Sequence, residues 1–240
     1  MKTIFKTKVE QDGSLWYKVH IVTQGFAMIP GQDYTESFAL VVNDMMNCMV
    51  LGIMLWQNKQ AQKEKTEEWV NVVYDVEAAF LMAEPKTKLY IEPPLVLVQL
   101  GFMTEEERQM NVLKIKKAMY GNIDSPLLFF KKKQGIMERL GLKQSQTDPC
   151  LFYWLDEVNN LELLLTLHVD DMLLSGWKSA VKKYLSDLQK ELKIKILGLI
   201  HKHLGVWWEW KTDENGDEYL EASMDGMVDE ITEAFYKATR

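Results

Sequence analysis

Residues 161–177 read LELLLTLHVDDMLLSGW and set two adjacent carboxylates, Asp170 and Asp171, between apolar runs. Leu163, Leu165 and Leu167 alternate with Leu164 and Thr166, as in a strand covered on both faces. Met172, Leu173 and Leu174 suit a returning strand, closed by Ser175-Gly176. The pattern predicts a β-hairpin with the acidic pair at its tip. Two like charges this close, between buried strands, repel each other and resist desolvation. A divalent cation relieves both costs, and hard oxygen donors suit Mg²⁺ or Mn²⁺. A solvated bend in which Asp merely favours the turn explains the same pair, and this stretch alone does not choose between them.

A third carboxylate enters from residues 71–83, NVVYDVEAAFLMA. Val72, Val73 and Tyr74 read as a strand arriving at Asp75, and AAFLMA favours a helix or helical turn. Asp75 alone is explained as a helix N-cap. Combined with Asp170 and Asp171, 95 residues further on, it completes a set able to hold two divalent ions roughly 3.5–4 Å apart, the arrangement of phosphoryl and nucleotidyl transfer. His201 and His203 invite a metal reading by their spacing but have no third ligand nearby, and read as surface residues.

The remaining segments supply the elements that must position these groups. Residues 1–24 predict a hairpin turning at Asp12-Gly13. Met45, Met46, Met49, Val50, Ile53, Met54 and Trp56 have helical spacing, capped by Asn43 or Asp44. The methionine stripe reads as core packing, and residues 59–68 as a charged connector. Residues 89–94 predict a short strand stopped by two prolines. Thr104 and Glu107 have capping-box spacing. Residues 114–117 read as a half-exposed basic strand. A helix is expected from Ser125-Pro126 to Leu140, stopped by Gly141; Lys131, Lys132 and Lys133 on it read as a solvated charge run or a phosphate contact. A strand follows Asp148-Pro149, then an amphipathic helix over 178–193, a glycine-punctuated stretch, a second hairpin turning at Asn215-Gly216 and a last helix over 225–238.

Composition bounds the rest. The 240 residues are 47% apolar, enough for a sizeable core. The net charge of −7 is local: residues 205–240 carry ten acidic and three basic side chains, and the preceding 204 balance at 25 of each. Arginine occurs only three times against 25 lysines, which counts modestly against phosphoryl chemistry. Cys48 and Cys150 lack metal-ligand spacing and read as buried thiols of a reducing compartment. Without a signal-peptide core or an apolar run of spanning length, the expectation is a soluble intracellular protein with no membrane partner.

The chain resembles the reverse transcriptase of copia-type (Pseudoviridae-like) LTR retrotransposons. The matching stretches occur in family order: Tyr17-Lys18 through Gln24-Gly25-Phe26, residues 33–39 (DYTESFA), residues 75–81 (DVEAAFL), residues 90–94 (YIEPP), residues 117–121 (KAMYG), residues 148–152 (DPCLF), Val169-Asp170-Asp171 and residues 203–206 (HLGV). The resemblance implies an α+β fingers-and-palm polymerase fold. Fingers would occupy about 1–70 and 85–117, palm about 71–84 and 118–224, and the thumb would be largely absent, only begun at about 225–240.

It further implies an RNA-directed DNA polymerase using two Mg²⁺ ions, with Mn²⁺ as substitute. Asp75, Asp170 and Asp171 would be the catalytic carboxylates, and Val76 would join them around metal and nucleotide. Asp170 is expected to bridge both ions, because neighbouring strand residues face opposite ways. Phe80 matches the aromatic position that crowds a ribose 2′-OH, a role compatible with buried packing. Lys18 and His20 would contact the incoming nucleotide, and Tyr120, Gly121 and Lys131 the template and primer. The implied partners are an RNA template, a DNA primer, dNTPs and the rest of a Pol polyprotein including RNase H, in a cytoplasmic virus-like particle or the nucleus. Three departures touch substrate handling: His20 stands where the family usually has Arg, His168 where it has Tyr, and Asp124, Leu127 and Phe129 replace common Gln, Arg and Trp positions. A catalytically silent reverse-transcriptase-derived module, binding nucleic acid or purely structural, or a transposon relic, is the competing expectation.

Overall fold

A computed structural model describes residues 1–9, 14–64 and 66–239. In chain order the elements are β1 (Lys2–Val9), β2 (Leu15–Val22), α1 (Asp44–Glu64), β3 (Trp69–Val76), β4 (Tyr90–Ile91), α2 (Leu95–Gln99), α3 (Glu105–Met110), β5 (Leu113–Lys114) and α4 (Ser125–Arg139). Then come β6 (Lys143–Gln144), β7 (Leu151–Leu155), β8 (Leu161–His168), β9 (Asp171–Trp177), α5 (Lys178–Glu191), β10 (Ile194–Leu199), β11 (Lys202–His203), β12 (Val206–Thr212), β13 (Glu218–Ser223) and α6 (Asp225–Thr239). The result is a mixed α/β fold with antiparallel sheets. It divides into two units, residues 1–40 with 78–135 and residues 41–77 with 136–240.

The second unit is built on an antiparallel sheet of order β10-β3-β9-β8-β7-β6. Its central strands are apolar on both faces, so each face demands a cover. Leu163, Leu165, Leu167, Met172, Leu173 and Leu174 are all fully buried. On one face Val50 and Leu51 of α1 pack with Val73, Leu164 and Leu173, and Thr166 donates to Asn47 Oδ1 at 2.7 Å. Residues alternate along a strand, so Tyr74 points the other way, where its hydroxyl lies 3.5 Å from that of Tyr184 on α5. Val181, Tyr184, Leu185 and Leu188 form the expected buried stripe of that helix, and Leu192, buried too, follows its end in extended conformation. A separate sheet, β11-β12-β13, turns at Asn215-Gly216 as expected, and Trp208 and Leu220 pack against the α1 cluster.

In the first unit β1 and β2 pair antiparallel; the expected turn at Asp12-Gly13 lies outside the described residues. The capping box at Thr104 forms, with Glu107 N–H donating to Thr104 Oγ1 at 3.1 Å and Thr104 N–H to Glu107 Oε2 at 2.8 Å. Helix α4 starts at Ser125 as anticipated, and Gly141 beyond its end takes the left-handed φ of +92°.

Several expectations need correction. Ser175 and Gly176 do not close the hairpin but lie inside β9. A Cβ on Gly176 would come within 2.6 Å of Glu162 O, so this glycine serves close strand packing, not a turn. Helix α1 runs to Glu64 and absorbs much of the expected connector; Asn43 is its cap, accepting from Met45 N–H at 2.9 Å. Only part of the methionine stripe faces inward, for Met54 is buried whereas Met45 and Met49 are exposed. The basic strand over 114–117 shrinks to Leu113–Lys114, and Cys48 is exposed while Cys150 is buried. The glycine-punctuated stretch conceals an edge strand, β10, with a bulge between Ile196 and Gly198 where Gly198 adopts φ +94°. Among the described residues no helix is long and apolar enough to cross a membrane.

Candidate active site

Strand register determines which side chains share the end of the six-stranded sheet. Asp75 on β3 stands opposite Asp171 on β9. Asp171 in turn stands opposite His168 on β8, and Lys195 on β10 opposite Asp75. Residues directly opposed on antiparallel strands lie on one face, with Cβ atoms about 4.5–5.5 Å apart. Lys195, Asp75, Asp171 and His168 therefore form one polar rung across four strands, on the face that carries α1. Sequence reasoning missed Lys195, because pairing between β10 and β3 leaves no local signal.

The β8–β9 hairpin forms as expected, with Val169 and Asp170 as its two-residue turn. Two-residue hairpins favour positive φ, and Val169 takes φ +51°. A β-branched side chain is strained there, by about 1–3 kcal/mol. The surrounding sheet supports that strain, since both strands are buried on either side of the tip.

His203 corrects the surface reading, whereas His201 is exposed as expected. His203 is only 6% exposed, and its Nε2 makes no hydrogen bond. Burial pushes its imidazole below the usual range; Asp171 acts in the opposite sense and His168 in the same. The chain can fold this side chain inward because Leu204 and Gly205 both take positive φ, +50° and +82°. Nδ1 of His168 is likewise buried and makes no hydrogen bond.

The carboxylates Asp75, Asp170 and Asp171 thus reach one end of a rigid sheet, with buried Val76 ending β3 beside them. Carboxylate oxygens are the donor type that a hard divalent cation takes. Their side chains are not gathered around a single point: among the described residues no group of three His, Cys, Asp or Glu could hold a metal ion.

The other residues singled out by sequence lie in the first unit. Phe80 is only 8% exposed and packs against Tyr120 at 4.6 Å and Phe129 at 5.9 Å between ring centroids. The His20 ring meets Tyr120 edge-on at 5.7 Å. Thr23 N–H donates to Tyr120 O at 2.9 Å. Gly121, at φ +92°, approaches so closely that a Cβ would collide with Thr23 O. Phe80, His20, Tyr120 and Gly121 are therefore brought together. Lys18 lies half-buried on β2, two residues before His20 and in register with Lys6. Lys131 pairs with Glu36 at 2.8 Å. Lys133 corrects the solvated-run reading: it is 1% exposed, its ammonium 4.4 Å from the Phe129 ring centre.

Comparison with known proteins identifies the family. Residues 1–223 match the profile described as reverse transcriptase (RNA-dependent DNA polymerase). The chain belongs to this family. It is 30% identical over 207 residues, 85% of its length, to the retrovirus-related Pol polyprotein from transposon TNT 1-94 of Nicotiana tabacum, covering 14% of that protein. It is 28% identical over 205 residues to the corresponding polyprotein from transposon RE1 of Arabidopsis thaliana, covering 85% of this chain and 13% of the relative. Over 127 residues, 52% of the chain, it is 29% identical to the transposon Ty1-DR5 Gag-Pol polyprotein of Saccharomyces cerevisiae, covering 6% of it. These relatives support the copia-type resemblance, and the chain spans about one seventh of the length of the first of them.

Proposed function

We propose that this chain is the RNA-directed DNA polymerase domain of an LTR retrotransposon, adding dNTPs to a primer 3′-OH on an RNA template. The opposition of Asp75 and Asp171 at the end of a buried sheet, with Asp170 in the adjoining turn, carries this reading. Asp75, Asp170 and Asp171, with Val76, would hold divalent ions. When bound there, Mg²⁺ or Mn²⁺ would supply acidification of an attacking hydroxyl and stabilisation of a leaving oxygen. The chain's own residues supply placement: the buried sheet fixes the carboxylate backbones, and Lys195 sets a positive charge in the same rung as Asp75. Phe80, held by Tyr120 and Phe129, would exclude a ribose 2′-OH. His20 and Lys18 would face the triphosphate, and Tyr120, Gly121 and Lys131 the template and primer.

In this reading the second unit is the palm and the first unit the fingers, with α6 beginning a thumb. That moves residues 41–70 from the expected fingers to the palm, and residues 78–84 and 118–135 from the expected palm to the fingers. The implied partners are RNA template, DNA primer, dNTPs and the remaining Pol polyprotein including RNase H, inside a virus-like particle or the nucleus.

The test is primer extension on an RNA template with Mg²⁺ or Mn²⁺, run beside Asp170→Asn. Extension by the parent alone supports the assignment; equal extension by the variant removes Asp170 from the site. A second reading, a silent reverse-transcriptase-derived module, is favoured by the ungathered carboxylates. Absence of extension from both proteins, with folding verified by a cooperative melt, supports it.

A further inference from the structure

The end of the six-stranded sheet remote from the carboxylates carries an open cavity of about 570 Å³. Two indoles wall it, Trp56 from α1 and Trp177 from the end of β9, together with Glu64, Glu67 and Glu162. Trp56 is 59% exposed, an unusual cost for so large an apolar surface. Trp177 is held rigidly: it meets Trp69 edge-on at 4.9 Å, and Trp69, itself buried, donates from Nε1 to Ser175 Oγ at 2.7 Å. Glu67 is also fixed, accepting from Ser179 N–H at 2.6 Å and from its hydroxyl at 2.7 Å. Glu162 is half-buried; desolvation, then Asp156 and Glu67, hold its carboxyl above the usual range. Among the described residues lining this cavity there is no cation.

A site of this make-up takes a cation. Indole faces attract ammonium and guanidinium groups, and a positive head among Glu64 and Glu162 relieves the repulsion around Glu162. The protein already makes one such contact next door. A second cavity, sharing Glu162, is lined by Trp154, over whose ring the Lys183 ammonium lies at 4.7 Å. A polyanion such as nucleic acid is repelled from the same surface, and a purely apolar segment leaves Glu162 uncompensated. We propose that the groove between Trp56 and Trp177 docks a lysine- or arginine-bearing polypeptide segment, its cationic heads against the two indoles and among Glu64 and Glu162. This surface is separate from the carboxylate rung and does not depend on polymerase activity.

The experiment titrates fluorescein-labelled octalysine into the full chain at low salt and follows anisotropy. Parallel titrations use Trp56→Ala, Glu162→Gln and, as a control on exposed α3 of the first unit, Glu106→Gln. Binding is expected to weaken about tenfold in Trp56→Ala, and measurably in Glu162→Gln, with Glu106→Gln unchanged. Equal affinity in all four proteins means diffuse attraction to an acidic chain and overturns the proposal. So does absence of binding by the folded parent, or equal binding of a labelled octaglutamine peptide. Loss of a parental dimer in Trp56→Ala, read by sedimentation, assigns the groove to a second copy and also overturns it. Glu162→Gln preserves side-chain volume, so the test stands even where the alanine variant folds poorly.

Discussion

Asp75 and Asp171 are cross-strand partners, so two carboxylates face each other at the end of β3 and β9. Like charges directly opposed in a sheet are unfavourable by about 0.2–1 kcal/mol. Without metal, Asp171→Asn is therefore expected to raise stability by about 0.5 kcal/mol, measured by urea denaturation in EDTA. With Mg²⁺ or Mn²⁺ the order reverses, because only the parent gains from cation binding. A variant that is less stable than the parent in EDTA would show that the pair is not repulsive.

Val169 supplies a second prediction. Its φ of +51° is costly for a β-branched residue. Val169→Gly relieves the strain but adds chain entropy to the unfolded state, at about 0.5–1 kcal/mol. The net expectation is a gain of roughly 1 kcal/mol, read from the denaturation midpoint. Because Asp170 adjoins Val169 in the two-residue turn, the freer glycine backbone should loosen its carboxylate, and primer extension should fall in the more stable variant. A gain in both would detach the strain from function.

Much of this architecture is legible in the chain itself. The β8–β9 hairpin, α5 and the capping box at Thr104 follow from local periodicity and cap chemistry, and they appear where expected, with Ser175 and Gly176 inside β9 and not beyond it. What local pattern does not carry is pairing between distant strands. Strand β10 sits at an edge, is mostly exposed and is bent by a bulge at Gly198, so its residues show no alternation. Lys195 consequently entered the rung unannounced, by register with Asp75, whereas His203, read from its spacing as a surface residue, is folded inward at the Leu204-Gly205 turn. Gly176 misled in the opposite way. It marks close approach to Glu162 and Leu163, which a sequence cannot distinguish from a turn.

Phe80 carries two readings that substitution separates. Packed on Tyr120 and Phe129, it is a core residue of the first unit. Phe80→Ala should cost about 3 kcal/mol, read from thermal or denaturant unfolding. If Phe80 also crowds the sugar, the same variant incorporates ribonucleotides more readily relative to deoxynucleotides. Phe80→Leu restores most of the packing and part of the bulk, so it should recover stability more than discrimination. Discrimination unchanged in both variants would leave packing as the sole role.

Asp124 gives the pH-dependent case. It lies buried just before α4, with Oδ1 making no hydrogen bond. Desolvation raises its carboxyl above the ordinary 3.8, while its own backbone N–H and Lys86 pull the other way without cancelling the rise. A group whose folded pKa exceeds its unfolded value contributes stability that is fully present below the unfolded pKa. That contribution is lost as pH rises through the folded pKa. At neutral pH the ionised, buried Asp124 is thus a net cost. Asp124→Asn should leave stability near the parent's below the unfolded pKa of 3.8, gain on it as pH rises through the raised folded pKa, and keep a level advantage above that, in urea melts taken from pH 3 to 7. A variant that loses stability at neutral pH instead would place a compensating cation on Asp124, with Lys86 the first to examine.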